Sequence, residues 1–402
     1  MNRGTICDAL TAEGYGVKLW GYSALDSYMG FDSLPFTWVE TDADISALAR
    51  LFEGIRFPGA ALADAVVDGE GAGEHCYFRC IDPDEKLKFS FSLLSFTQDW
   101  KTRRFQDPGE LYPLIREMRD GRRERLRERP QEEPWWGGLT QGTGRYRALM
   151  DAALILARYD GNQENDFDGL FRELPGDEPP RNEEQRVFLC SLLLSPHPGR
   201  GFTLLKSQGF IDEIWPELAL MDQVNHSKEF HPEGNVWDHT LETFRYRKTA
   251  SRGAAAPRPH DLRLSLGLLL HDLGKPLSES SGSRRFDGHA ELGARAAGKF
   301  LRRLEFDSSF IEDIFYLIKN HMLPAALPRL PLQRTGEVMA SPLFPTLMEL
   351  YRCDESSSFK GLDGYYQSSA AYQSYLRNRM NPYRSADGKK LSGSRKRAAG
   401  KF

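Results

Sequence analysis

The spacing of apolar positions changes along the chain, and the changes divide it. From residue 1 to 112 short patterns of both kinds alternate. DALTAEGY reads as a short helix, VKLWGYS as a strand and turn, and ISALARLF as a helix with apolar positions at Ile45, Leu48, Leu51 and Phe52. KLKFSFSLLSF alternates with period two through Phe89 and Phe91, which is a strand signal. Residues 113–140 lose the apolar pattern: Arg and Glu alternate densely enough for a solvated helix, and PWWGG breaks the chain. From 141 to 220 the spacing is helical in RALMDAALILARY, NEEQRVFLCSLLL and GFTLLKSQGFIDEIWPEL. Helical spacing continues from 221 to 375. Residues 376–402 are rich in Gly, Ser, Lys and Arg with almost no apolar content, so disorder is expected there. The expected fold class is α+β: an α/β head, then an all-helical neck and a helical bundle.

Within the bundle, Leu262–Pro276 reads LRLSLGLLLHDLGKP. An apolar run of this length is a buried helix or a buried strand. Ser265 and Gly267 disfavour a strand, and Gly274-Lys275-Pro276 stops the element as helices are stopped. His271 and Asp272 therefore close a buried helix, where both are costly unless something pairs them. A divalent cation does so, because imidazole nitrogen and carboxylate oxygen together suit first-row transition metals. Four more candidate ligands follow helical patterns of their own: His239 in GNVWDHTLETF, His289 before HAELGARAAGKFL, His321 after IEDIFYLIKN, and Asp354 after LMELYRC. In chain order the intervals from His239 through His271, His289 and His321 to Asp354 are 32, 18, 32 and 33 residues. Each is one or two helices plus a connection, the spacing from which bundles assemble metal sites. His260-Asp261 lies in the Pro/Ala-rich stretch AAAPRPHDLR and carries little weight as a ligand pair.

Composition narrows the classes. At 402 residues the chain is long enough for two or three domains, and 40% hydrophobic with 27% charged residues describes a globular protein. A formal charge of −4 gives no strong overall attraction to nucleic acid. Local basic runs differ, with Arg119, Arg122, Arg123, Arg125, Arg127 and Arg129 in the charged segment and Lys389, Lys390, Arg395, Lys396 and Arg397 in the tail. The five cysteines have no disulfide-like layout. No run approaches the ~20 apolar residues of a membrane helix, and no signal peptide is recognisable, so a cytoplasmic protein without membrane attachment is expected.

The series His239, His271-Asp272, His289, His321, Asp354, with LLLHDLGKP at its centre, resembles the HD superfamily of metal-dependent phosphohydrolases. The resemblance implies that His239, His271, Asp272 and Asp354 hold one divalent ion. His289 and His321 then complete a second site with Asp272 bridging, or else bind phosphate. Mn, Fe, Ni, Co and Mg all remain open. Asp272 and Lys275 are the expected catalytic residues, Lys275 neutralising a phosphate oxygen.

A second resemblance covers most of the chain. WGYSALDSYMG, PFTWVETDADISALARLF, GFTLLKSQGFIDEIWPEL and QVNHSKEFHPEGNVWDHTLE are similar to segments of the tRNA nucleotidyltransferase/poly(A) polymerase family. Gly21, Asp26, Gly30, Thr41, Ala43 and Phe52 match the family's head, and Glu233 and Gly234 its entry into the HD region. The residues of its chemistry do not match. Tyr22 replaces the second turn glycine, Leu25 the triphosphate-side arginine, and Phe36 and Trp38 the two metal-binding carboxylates. KLKFSFS lacks the family's Arg pair and Asp, and of the base-selecting motif at 143–147 only Arg147 remains. Phenylalanine and tryptophan cannot hold the Mg²⁺ that phosphoryl transfer needs, so the head reads as degenerate. Asp32, Asp42 and Asp44 are outside candidates, the latter two better explained as a helix cap. His226 and His231 read as wall residues.

Together these readings imply an HD phosphohydrolase acting on a nucleotide, a 2′,3′-cyclic phosphate or an RNA end, carried behind an inactive nucleotidyltransferase-like head. Two rivals stand beside it: an active tRNA nucleotidyltransferase or poly(A) polymerase, and a non-catalytic RNA- or nucleotide-binding protein.

Overall fold

The computed structural model describes residues 3–30, 36–57, 63–68, 75–81, 96–107, 144–159, 171, 174–224, 234–248, 261–280, 286–358, 361–381, 383–385 and 389. The expected strand through Phe89 and Phe91, the charged segment, Asp32, His226, His231, His260 and nearly all of the tail lie outside these residues. The chain divides into two compact units: 1–214 with 248–260, and 215–247 with 261–402. The α+β class holds, with the strands in the first unit and the second built from helices.

The first unit begins with helix α1 (Arg3–Ala12), strand β1 (Val17–Trp20), helix α2 (Tyr22–Met29), strand β2 (Phe36–Thr41) and helix α3 (Ile45–Leu51). Strands β3 (Ala65–Asp68), β4 (His75–Cys80), β5 (Thr97–Asp99) and β6 (Phe105–Gln106) follow. The sheet order is β3-β4-β2-β1-β5-β6, with β2 and β4 parallel and the other pairs antiparallel. Side chains alternate across a strand, so one face of β2 carries Phe36, Trp38 and Glu40. These stand beside His75, Tyr77 and Arg79 of β4 in register. Trp38 stacks on Tyr77 with centroids 4.5 Å apart and meets the edge of Trp20 at 6.0 Å. The opposite face packs under α3, where Phe52 stacks on Phe78 at 5.7 Å. Leu48 and Phe52 are buried as expected, whereas Ile45, at the exposed first position of the helix, is 44% exposed. Asp44 caps α3, accepting from the Ala47 amide at 2.7 Å.

Helices α4 (Arg145–Arg158), α5 (Asn182–Leu193), α6 (Pro198–Ser207) and α7 (Phe210–Ile214) complete this unit. The segment GFTLLKSQGFIDEI breaks at Gly209, whose φ of 77° is a conformation glycine adopts freely. A buried network joins α2 to α4. Arg158 clamps Asp26 through Nε at 2.5 Å and Nη2 at 2.7 Å, and the Tyr159 hydroxyl donates to the same carboxylate at 2.5 Å. Tyr22 donates to the backbone oxygen of Asp151 at 3.2 Å.

The second unit contains helices α8 (Pro216–Ala219), α9 (Val236–Thr243), α10 (Leu262–Leu270), α11 (Lys275–Ser280) and α12 (His289–Arg303). Helices α13 (Ser308–Asn320), α14 (Leu323–Ala326), α15 (Leu332–Ala340), α16 (Phe344–Ser356) and α17 (Asp363–Met380) follow. Helix α10 is its hub: Leu264 through Leu270 are all buried. Gly267 makes this possible, since a Cβ there would lie 2.8 Å from Leu350 Cδ1 of α16 and 3.5 Å from Leu317 Cδ1 of α13. The helix stops at His271, as expected. Lys275 and Pro276 do more than terminate it: they open α11, where a proline in the first turn sacrifices no intrahelical bond. Among the described residues no helix is long and apolar enough to cross a membrane.

Candidate metal centre

Five helices deliver the six expected ligands, all but His239 from or beside a helix end. His271 is the C-terminal cap of α10 and His321 that of α13. His289 opens α12, His239 lies on α9, and Asp354 stands on the last turn of α16. The structure brings all six together. They fall into two triads, His239/His271/Asp354 and Asp272/His289/His321, with the potential ligand atoms of each triad within 4.8 Å of one another. Asp272 stands between them. Its Oδ2 lies 3.2 Å from His271 Nε2, and its Oδ1 lies 3.6 Å from His289 Nε2 and 3.9 Å from His321 Nε2. In the first triad Asp354 Oδ1 is 3.0 Å from His239 Nε2 and 3.8 Å from His271 Nε2. The histidines and Asp272 are buried, while the Asp354 side chain keeps 26% of its surface and marks the open side.

The orientation of the rings follows from helix ends. A helix leaves its last carbonyls unpaired, and a histidine at the cap reaches back to the one three residues earlier. His271 Nδ1 meets Leu268 O at 2.8 Å and His321 Nδ1 meets Ile318 O at 2.7 Å. His289 Nδ1 meets Phe286 O at 2.8 Å from the N-terminal side of α12. A carbonyl oxygen only accepts, so in each neutral ring Nδ1 carries the hydrogen and Nε2 the lone pair. All three lone pairs then point into the centre.

This leaves a specific electrostatic deficit. His289 Nε2 and His321 Nε2 face each other at 3.1 Å, and neither has a hydrogen to give. A shared proton does not resolve it near neutrality. Burial and the neighbouring His271 pull the His321 imidazole down to about 4, and burial also pulls His289 down. His271 Nε2 is buried without a hydrogen bond among the described residues. Burial would disfavour a charged His271, but the Asp272 carboxylate beside it raises its pKa overall. Burial would likewise raise Asp272, yet His271 and Lys275 hold that carboxyl well below the usual range. Bare imidazole nitrogens converging on two ionised carboxylates are the donor set of a divalent cation, so these residues fit one.

Lys275 sits against the cluster, its Nζ 2.6 Å from Asp272 Oδ2. Sequence reasoning missed Ser357, whose hydroxyl donates to Asp354 O at 2.7 Å and lies 3.4 Å from His239 Nδ1. It also missed the backbone carbonyls that set the rings, for which no side-chain pattern exists. Glycines 274 and 293 meet backbone to backbone: a Cβ on Gly274 would fall 2.0 Å from His289 O and 2.5 Å from Gly293 N. That contact presses the turn carrying Asp272 onto the start of α12.

Residues 236–344, which carry His239, His271, Asp272, His289 and His321 of this cluster, match the HD domain family, and Asp354 lies just beyond the matched span. The chain is also similar over part of its length to tRNA nucleotidyltransferases. It is 34% identical over 159 residues to the CC-adding tRNA nucleotidyltransferase of Thermus thermophilus, covering 39% of this chain and 34% of that one. With the A-adding tRNA nucleotidyltransferase of Deinococcus radiodurans it shares 31% over 187 residues, 44% of this chain and 40% of that one. The chain thus matches no more than about two-fifths of these relatives' length. Among solved structures, the CCA-adding enzyme of Bacillus stearothermophilus in complex with CTP aligns with a TM-score of 0.49 and 12% identity, over 93% of this chain and 81% of that one.

Proposed function

We propose that the HD centre is a metal-dependent phosphohydrolase site for a nucleotide or RNA phosphoester. His239, His271 and Asp354 hold one divalent ion, His289 and His321 a second, and Asp272 is shared between them. The observation that carries this reading is the pair of Nε2 atoms 3.1 Å apart, both with Nδ1 turned to a backbone carbonyl, an arrangement a cation between them would satisfy. A divalent ion in such a site polarises phosphoryl oxygen and makes bound water acidic enough to act near neutrality. The chain's own residues supply the rest. The backbone carbonyls fix the imidazole tautomers, Asp272 provides the bridging negative charge, and the Lys275 ammonium neutralises a non-bridging phosphate oxygen. Asp354 lines the side from which substrate enters.

In this reading the head is catalytically inactive. Strand β2 carries one carboxylate, Glu40, and it pairs with Lys18 at 3.7 Å and Arg79 at 3.3 Å. Phe36 and Trp38 occupy the positions of the missing acids and are buried in ring contacts. Asp42 accepts from the Gly16 amide at 2.7 Å and Asp44 caps α3, which gives each of them a structural role. The names of the sequence relatives favour a second reading, nucleotide addition to tRNA.

One set of experiments separates the two. Purified protein is assayed for bound metal, for hydrolysis of a phosphoester panel, and for incorporation of ATP or CTP into tRNA with Mg²⁺. Asp272→Ala should abolish hydrolysis and lower bound metal, and Lys275→Ala should lower the rate with metal nearly unchanged. Equal loss of metal in both variants defeats that division of roles. Incorporation that survives Asp272→Ala would place the activity in the head and overturn the proposal.

A further inference from the structure

Phe286 adopts φ 55°, in the left-handed region that a bulky side chain enters only at a cost. The other left-handed residue of the same turn, Gly288 at φ 76°, is a glycine, which enters it freely. Backbone geometry would thus give position 286 to glycine as well, yet the chain places an aromatic ring there. The turn is held from both sides: Phe286 O accepts from the His289 amide at 3.1 Å and from His289 Nδ1 at 2.8 Å, and the buried Ser278 hydroxyl donates to Asp287 O at 3.0 Å. From this turn the half-buried Phe286 ring lies 5.8 Å from Lys275 Nζ, which is 2.6 Å from Asp272 Oδ2. An ammonium over an aromatic face is attracted by the ring quadrupole. The ammonium at the end of a flexible lysine stem thus has a carboxylate and an aromatic ring beside it.

We propose that Phe286 is a positioning residue of the HD centre: its ring holds the Lys275 ammonium where it meets the substrate's phosphate, while its carbonyl orients His289. The inference rests on the proposed phosphohydrolase reading and adds to it the reason that a strained aromatic stands in this turn. Strain that persists at a site is commonly tied to the site's work.

Phe286→Gly relaxes the backbone, keeps the carbonyl and removes the ring. Phe286→Tyr keeps the ring. Both are compared with wild type, in the full chain loaded with metal, by bound metal content, thermal unfolding, calorimetric affinity for inorganic phosphate, and the kcat against KM split on a phosphoester. Phe286→Gly should melt no lower than wild type and keep its metal. It should bind phosphate about two- to fivefold more weakly, the range of an accessible cation–π contact, with KM rising to match. Phe286→Tyr should restore the affinity. In a Lys275→Ala background, Phe286→Gly should weaken phosphate no further, because a residue acting through Lys275 has nothing left to act on. Unchanged phosphate affinity in Phe286→Gly, or an equal loss in the Lys275→Ala background, overturns this inference and leaves the metal site standing. A wild-type protein that takes up no metal overturns the phosphohydrolase reading and this inference together.

Discussion

Replacing Gly274 with alanine tests how the two triads are held in register. The added Cβ would sit 2.0 Å from His289 O, 2.5 Å from Gly293 N and 2.9 Å from Gly293 Cα, against 3.4 Å for ordinary contact. All three neighbours are backbone atoms of one helical turn, so no rotamer change relieves the clash. The start of α12 must retreat by about 1.4 Å, the difference between 2.0 and 3.4 Å. Forced insertion into packed structure usually costs about 1–3 kcal/mol, and rigid neighbours place this case at the upper end. The retreat carries His289 away from Asp272, and functional geometry tolerates about 0.5 Å. Loss of ligand orientation weakens metal binding by roughly 10–100-fold, here in the Asp272/His289/His321 triad. The assay is metal titration by calorimetry alongside thermal unfolding, with Gly293→Ala as a milder case, its closest approach being 2.9 Å to Gly274 N. Gly176→Ala, with nothing within 4 Å, is the inert control. A Gly274→Ala protein with wild-type metal stoichiometry, affinity and melting temperature would refute the claim that this contact sets the site.

Asp26→Ala should destabilise the first unit by about 3–5 kcal/mol in urea unfolding, because it leaves the buried Arg158 guanidinium uncompensated; a loss under 1 kcal/mol would mean that the clamp is not needed. Asp151 is buried with Oδ2 unpaired among the described residues, and burial pushes its carboxyl well above the ordinary range despite the Tyr22 hydroxyl. A raised folded pKa contributes stability below the unfolded value of about 3.9 that is lost as pH climbs toward the folded one. Asp151→Asn should therefore match wild type near pH 4 and outstrip it by about 1.4 kcal/mol per pH unit above that, until the folded pKa is reached. Parallel stability curves across this range would contradict a protonated Asp151.

The candidate ligands of the centre were legible in the sequence because their cause is local. An apolar run that ends on His271-Asp272 forces two polar groups to the end of a buried helix, and each remaining ligand sits beside a helical pattern of its own. The shared face of Phe36 and Trp38 in the head was readable for the same reason: alternation along one strand puts them there whatever lies around them. What spacing cannot convey is which ends meet. The division into two triads, Asp272 between them, and the facing nitrogens of His289 and His321 depend on where α12 and α13 dock on α10, which Gly267, Gly274 and Gly293 decide through atoms they lack. Ring tautomers are set by the carbonyls of Leu268, Phe286 and Ile318, and every residue has a carbonyl, so no pattern marks them. The Asp26–Arg158 clamp joins residues 132 positions apart. Sequence marks the candidate ligands because residue type and helical period are properties of short segments. Tertiary structure decides their partners because distances between segments exist only once the segments pack.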